Sequence, residues 1–294
     1  MTQTNNPIRA AIWMVGAMLS FTLMAVGGRE LADQLDTFEI MLYRSLLGFI
    51  VVVGVAWQAG TLSQITGNRL GLHLIRNLSH FTGQNLWFYA VALIPLSQLV
   101  AFEFTTPLWV AVFAPLVLGE RWTTTRVLAC GIGFLGILIV ARPDTSEINS
   151  ATLAAVLCAL GFAGATLATK RLSSTESVTC ILFWLVAMQS VLGIIFTLYD
   201  GHITLLTLET LPWAILVGLT GVAAHFCITN ALAIAPATVV MPLEFLRVPL
   251  MAVVGFWLYG EPLLYSVFIG ALIILAANIL NIRAETRLTQ PATK

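Results

Sequence analysis

Apolar residues fall along this chain in long runs separated by short polar breaks. A helix needs about 20 apolar residues to cross the hydrocarbon core of a bilayer. Ten runs approach that length: 8–28, 36–58, 71–91, 95–118, 124–141, 150–170, 177–199, 209–234, 237–259 and 262–282. The third and eighth carry the most polar interruptions. The first is flanked by a single arginine, Arg9, and no small-residue cleavage site follows it, so it reads as a retained helix rather than a signal peptide. Most breaks are under about ten residues, which makes consecutive helices neighbours. The pattern predicts an all-α integral membrane protein with ten transmembrane helices.

A second periodicity lies over the first. Slid by 141 residues, the two halves register almost without gaps, from Phe21 on Phe162 to Glu120 on Glu261. LVAFEFTTPLWVAVFAPLVLGE (99–120) falls over VVMPLEFLRVPLMAVVGFWLYGE (239–261), so that Glu103 meets Glu244 and Phe104 meets Phe245. The chain therefore divides into repeats at 8–141 and 150–282, with a short cytoplasmic tail at 283–294. Five helices per half is an odd number, so the halves enter the membrane from opposite sides, as in many secondary transporters.

The repeat gives meaning to two acids inside apolar runs. Glu103 lies about eight residues into its helix and Glu244 about seven, roughly 12 and 11 Å from opposite faces at 1.5 Å per residue. A carboxylate at that depth is costly against lipid and should face protein or a watery cavity. Two readings stand. Either the glutamates line a cavity as substrate-binding or proton-coupling groups, or they are neutralised in fixed pairs with Arg44 or Arg247. Arg247 is three residues after Glu244, on the same helical face. Arg44, whose counterpart is Leu185, breaks the symmetry and is a candidate for an anionic substrate group or a carboxylate. Pro107 lacks the N–H that would bond the Glu103 carbonyl, and Pro249 does the same for Phe245, so both are expected to kink their helices.

Composition and charge narrow the class. The chain of 294 residues is 59% hydrophobic and 10% charged, with mean hydropathy +0.92. Formal net charge is zero, which offers nothing to nucleic acid. With the N-terminus inside, inner segments hold Arg9, Arg69, Arg76, Arg121, Arg126, Lys170, Arg171, Arg283, Arg287 and Lys294, against Arg29 and Arg142 outside. That bias predicts both termini on the cytoplasmic side. The four cysteines, Cys130, Cys158, Cys180 and Cys227, are scattered in apolar runs and read as small hydrophobes, neither disulfides nor metal ligands. No metal and no cofactor are expected. HExxH, GxSxG and Walker A patterns are absent, and Tyr199-Asp200 is followed by no GxGD, so an intramembrane enzyme is disfavoured.

Other polar positions complete the candidate site. His80, Gln84 and Asn85 share a helical face, and His225 with Asn230 forms the matching cluster, Gln84 falling opposite His225 in the repeat. These histidines suit proton relay or donation to a substrate, or equally hydrogen bonds between helices. Phe21, Phe102 and Phe162, with Phe104 and Trp109, are candidates to stack on a ring or cation, or to pack. Glu120 and Glu261, each after a glycine at a helix end, read as connector residues.

Two tandem sets of five helices, each ending its fourth helix in Leu-Gly-Glu-Arg-Trp (118–122) or Tyr-Gly-Glu-Pro-Leu (259–263), resemble an EamA-type member of the drug/metabolite transporter superfamily. Pro107, about thirteen residues before Glu120, fits that family's pattern; in the second half Val248 occupies the position and Pro249 is one place late. The resemblance covers residues 8–282. It implies a basket-like carrier working by alternating access, its cavity lined mainly by helices one, three, four, six, eight and nine. It also implies cargoes such as amino acids, S-adenosylmethionine, riboflavin or organic ions. The expected function is secondary active transport of a charged or zwitterionic metabolite across a bacterial inner membrane, by proton coupling or exchange. The alternatives are a channel-like facilitator or, less favoured, an intramembrane enzyme.

Overall fold

The computed structural model describes residues 7–118, 124–141, 149–172, 175–200, 202–234 and 246–289. Among them there is no strand. The helices are α1 (Pro7–Leu31), α2 (Thr37–Gln58), α3 (Leu70–Leu93), α4 (Leu96–Glu103), α5 (Thr106–Leu118), α6 (Thr124–Ala141), α7 (Ser150–Leu172), α8 (Val178–Thr197), α9 (Leu211–Ile234), α10 (Arg247–Tyr259) and α11 (Tyr265–Thr289). Among the described residues six stretches are long and apolar enough to cross a membrane: Ile8–Leu31, Thr37–Gln58, Leu96–Val117, Ser150–Leu172, Val178–Thr197 and Leu211–Ile228. Val127–Val140, Arg247–Tyr259 and Tyr265–Leu280 are shorter apolar helices. α3 is diluted by His73, Arg76, Asn77, His80, Gln84 and Asn85, yet all six are buried. Its polar face meets protein.

Local chemistry sets several helix ends. Asp36 caps α2, its carboxylate accepting from Glu39 N at 2.8 Å while Glu39 Oε2 accepts from Asp36 N at 3.0 Å, a reciprocal capping box. Ser177 caps α8 through Cys180 N at 3.1 Å. α4 and α5 belong to one expected span that breaks at Phe104–Thr105, and Pro107 is the second residue after the break. The Glu103 carbonyl there accepts from Thr106 Oγ1 at 2.7 Å. Pro249 stands in the first turn of α10, which begins at Arg247, as Pro107 stands in the first turn of α5. The segment before Leu246, Phe245 included, lies outside the described residues. Residues 283–289, expected as tail, continue α11 as helix.

Helix boundaries repeat at the shift read from the sequence. Moved by 141 residues, Leu70–Leu93 becomes Leu211–Ile234 and Thr106–Leu118 becomes Arg247–Tyr259, the bounds of α9 and α10. Packing repeats as well: α1 lies on α9 and α3 on α7, while α2 pairs with α8, α6 with α11 and α4 with α10. Exchanging each helix for its counterpart in the other half returns the same set for the first four of these pairs; the counterpart of α4 lies outside the described residues. α3 and α7 are antiparallel, since Tyr89 meets Ser150 (2.9 Å) at one end and Arg76 meets Thr169 (2.6 Å) at the other. They approach closely, because a Cβ on Gly161 would fall 2.7 Å from Gly83 Cα. α1 runs parallel to α3, its Arg29 reaching Val91 O at 2.6 Å and also Ile94 O.

The burial pattern is that of a protein in lipid. Large apolar side chains such as Leu19, Ile50, Leu135, Leu153, Ile195 and Leu272 are exposed on the helix exteriors, while charged and amide side chains are buried between helices. A contiguous apolar exterior of this kind needs an apolar environment.

Candidate functional site

Two polar clusters meet near the middle of the bundle. The first is built on α3. His80, about halfway along it, places Nδ1 2.7 Å from Gln189 Nε2 on α8. Its ring centre is 6.3 Å from that of His225 on α9 and 5.7 Å from Phe162 on α7. One turn earlier on α3, Arg76 donates from Nε to Thr169 Oγ1 at 2.6 Å and from Nη1 to Asn77 Oδ1 at 3.5 Å. Arg44 enters from α2, buried, with Nε unbonded among the described residues. The guanidinium groups of Arg44 and Arg76 act electrostatically on both imidazoles. No carboxylate pairs with either arginine among the described residues. Gly221 on α9 makes the room for Arg44: a Cβ there would fall 3.0 Å from Arg44 Nε. In the repeat, Gly221 is the counterpart of His80.

The second cluster joins the two halves. Arg247 Nη2 at the start of α10 lies 2.6 Å from Glu103 Oε1 at the end of α4, with side-chain exposures of 3% and 19%. Glu103 Oε2 accepts from Trp87 Nε1 at 2.9 Å. The Arg247 guanidinium sits between two rings, 4.8 Å from the centre of Phe21 and 5.1 Å from that of Phe104. Phe21 also packs edge-on to His225, with centres 5.9 Å apart, so one ring of α1 links the clusters. Three arginines against one carboxylate leave this region with excess positive charge among the described residues. Desolvated charge of that kind is unfavourable unless a polar partner is supplied.

The structure brings most, not all, of the candidate residues together. Arg44, His80, His225, Phe21 and Phe162 form the first cluster, and Glu103 with Arg247 the second. Arg247 pairs with Glu103, across the repeat, while its near neighbour in sequence, Glu244, lies outside the described residues. Gln84 is buried on the same face of α3. Asn85 and Asn230 each donate to their own helix, to Phe81 O and Phe226 O at 2.8 Å. Phe102 is fully buried in the main apolar core, and Trp109 stacks on Phe113 and meets Phe134 edge-on. Sequence reasoning does not single out Arg76, Gln189, Trp87 or Gly221. Arg76 counts there as a flanking charge, whereas it lies within α3 and is buried. Glu261 does join elements, accepting from Leu96 N at 2.9 Å and pairing with Arg29.

This arrangement presents guanidinium and imidazole donors beside the faces and edges of phenyl rings. It suits a flat solute with acceptor atoms along one edge. The cysteines form no disulfide among the described residues, but Cys180 does gather with His73 and Glu176.

The EamA-like transporter family matches twice, over residues 8–142 and 149–283. A riboflavin transporter of Rhizobium johnstonii is 30% identical, over 98% of this chain and 97% of its own. An S-adenosylmethionine uptake transporter of Rickettsia bellii is 24% identical over 94% of each. A solved crystal structure shares the fold at a TM-score of 0.65, covering 96% of this chain and 99% of its own at 15% identity.

Proposed function

From the premise that this chain belongs to the EamA-like transporter family, as its two matches show, we propose that it carries a heteroaromatic metabolite by alternating access. It is an integral protein of the bacterial inner membrane, and its family and relatives are transporters of small metabolites rather than enzymes. Ten spans in two oppositely inserted halves, both termini cytoplasmic, form the carrier. The parallel run of α1 with α3 and the antiparallel run of α3 with α7 support that insertion, because α1 and α7 open the two repeats.

The observation that carries the cargo assignment is Arg44, a buried guanidinium without a carboxylate partner among the described residues, set beside paired imidazoles and phenyl rings. A flavin-type or nucleoside-type ring fits there, its acceptor edge on Arg44 and its faces near Phe162 and Phe21. The names of the relatives support this, since riboflavin and S-adenosylmethionine both carry flat nitrogen heterocycles. Aliphatic amino acids lack a ring to lie against Phe162 and Phe21.

Glu103 is the coupling acid in this scheme. Protonating it would release Arg247 from a pair that ties the two halves together, linking proton entry to the change of access. Uptake of labelled riboflavin and of labelled S-adenosylmethionine into proteoliposomes tests both parts. Saturable uptake of at least one, lost in Arg44→Gln, supports the cargo site; Arg44→Gln transport equal to the parent overturns it. Glu103→Gln should retain solute exchange at equal pH while losing acceleration by a pH gradient. Gradient-driven uptake by Glu103→Gln at the parent rate removes the coupling role.

A further inference from the structure

A third polar cluster lies apart from these two, where α3 and α8 begin. We propose that His73, Glu176 and Cys180 form a binding site for a zinc-class divalent cation. Their ligand atoms, an imidazole nitrogen, a carboxylate oxygen and the thiol sulfur, all lie within 4.8 Å of one another. His73 is fully buried, and neither of its ring nitrogens has a hydrogen-bond partner among the described residues. A buried imidazole always carries at least one N–H or lone pair that needs a partner. His73 packs against Trp184, ring centres 6.2 Å apart, a contact that leaves both ring nitrogens without partners; a metal ion would complete one of them.

The donor set selects the metal. One thiolate, one imidazole and one carboxylate match tetrahedral zinc, with a fourth position open to water. The sulfur disfavours magnesium and calcium. Charge balance points the same way. On binding, the Cys180 thiol releases its proton and forms the metal–sulfur bond; thiolate and carboxylate then cancel the two positive charges of the cation. A neutral complex is what a site at the end of a membrane bundle tolerates, with Arg69 and Arg76 nearby as the facing cations.

The second sphere is already in place. Thr66 Oγ1 donates to Glu176 Oε2 at 2.8 Å, and Thr66 N donates to Cys180 Sγ at 3.4 Å. Trp184 Nε1 donates to Thr66 O at 2.7 Å. Such partners orient metal ligands. Bound metal would clamp the first turn of α3 to the α7–α8 turn and the start of α8. His73, Asn77, His80 and Gln84 share one face of α3, so the clamp sits at the foot of the helix face that carries the transport site.

The full-length protein in lipid nanodiscs, titrated with Zn²⁺ and Co²⁺, tests this without reference to transport. One equivalent of Co²⁺ should give a sulfur-to-cobalt charge-transfer band and tetrahedral visible bands, and Zn²⁺ should displace it. Cys180→Ser should abolish the charge-transfer band, while Cys227→Ser leaves it intact. His73→Gln and Glu176→Gln should each weaken Zn²⁺ binding by about 10–100-fold. Should Cys180→Ser lose its helical spectrum or monodispersity, these two variants decide between a site and none. Absence of the band in the parent, or parent affinity in both His73→Gln and Glu176→Gln, overturns the site.

Discussion

A Cβ on Gly221 would fall 3.0 Å from Arg44 Nε, a contact that only movement of one side can relieve. The guanidinium is the movable side, so an alanine there should push Arg44 out of its place while leaving the helix sound. Alanine is favoured over glycine inside a helix by about 1 kcal/mol. Gly221→Ala should therefore melt at the same temperature or higher, yet raise the KM for solute uptake about tenfold, a cost of about 1.4 kcal/mol. An unchanged KM together with the higher melting temperature would mean that Arg44 binds nothing in transit. Part of this site is legible in the sequence. Charged residues and histidines inside apolar runs mark Glu103, Arg247, His80 and His225 by their cost alone. Gly221, Gln189, Trp87 and Arg76 send no such signal. Glycine and tryptophan are ordinary in these helices, and Arg76 near a helix start looks like an orientation charge. Its partner Thr169 is 93 residues away; helical spacing tells which face a residue occupies, not which helix it meets.

The break between α4 and α5 shows what an element can do that a residue cannot. Pro107 withdraws one N–H, and the chain responds by ending one helix at Glu103 and starting another at Thr106. The freed carbonyls find side-chain donors: Glu103 O takes Thr106 Oγ1, and Phe104 O takes Asn278 Nδ2 of α11 at 3.0 Å. Removing the second donor in Asn278→Leu should lower stability by about 1–3 kcal/mol, the usual cost of an unsatisfied buried carbonyl, read as a lower melting temperature in nanodiscs. Pro249 likewise stands in the first turn of its helix, α10, and the residues whose carbonyls it would free lie outside the described residues. At the opposite end of α3, the connection to α2 is pinned through Thr66. Its hydroxyl, more than any other group, holds the Glu176 carboxyl below its ordinary value of 4.5, with Cys180 assisting. A carboxyl so lowered contributes stability above its unfolded pKa and loses it as pH falls through the folded value. The melting-temperature gap between the parent and Thr66→Val should thus be widest near neutrality and close as pH drops below about 4.5. A gap independent of pH would assign the threonine to packing alone.

At the scale of the whole molecule, helix pairing obeys the two-fold relation between the halves while the charged chemistry departs from it. Arg44, Arg76 and Arg247 answer to Leu185, Val217 and Thr106 in the repeat. The apolar registers that set the symmetric frame are readable from sequence because lipid exposure repeats along each span. The asymmetric site is not, because it depends on which helices touch. In the alternating-access scheme proposed above, one contact set would control how the frame opens. At the end where α1, α3 and α10 finish, Glu261 accepts Leu96 N and pairs with Arg29, which also holds Val91 O, Ile94 O and the face of Tyr259, 4.7 Å from its centre. The contacts of Glu261 and Tyr259 with Leu96 and Arg29 cross from one half to the other and would have to part for that end to open. Glu261→Gln keeps the acceptor for Leu96 N but discards the negative charge that faces Arg29. Loss of about 1.4 kcal/mol from the closed state multiplies the open population about tenfold. In a background with the four native cysteines replaced, a cysteine at Phe21 should then react several-fold faster with a membrane-impermeant maleimide added from that side. Equal labelling in the presence and absence of the Glu261 charge would show that these bonds hold helices together without governing access.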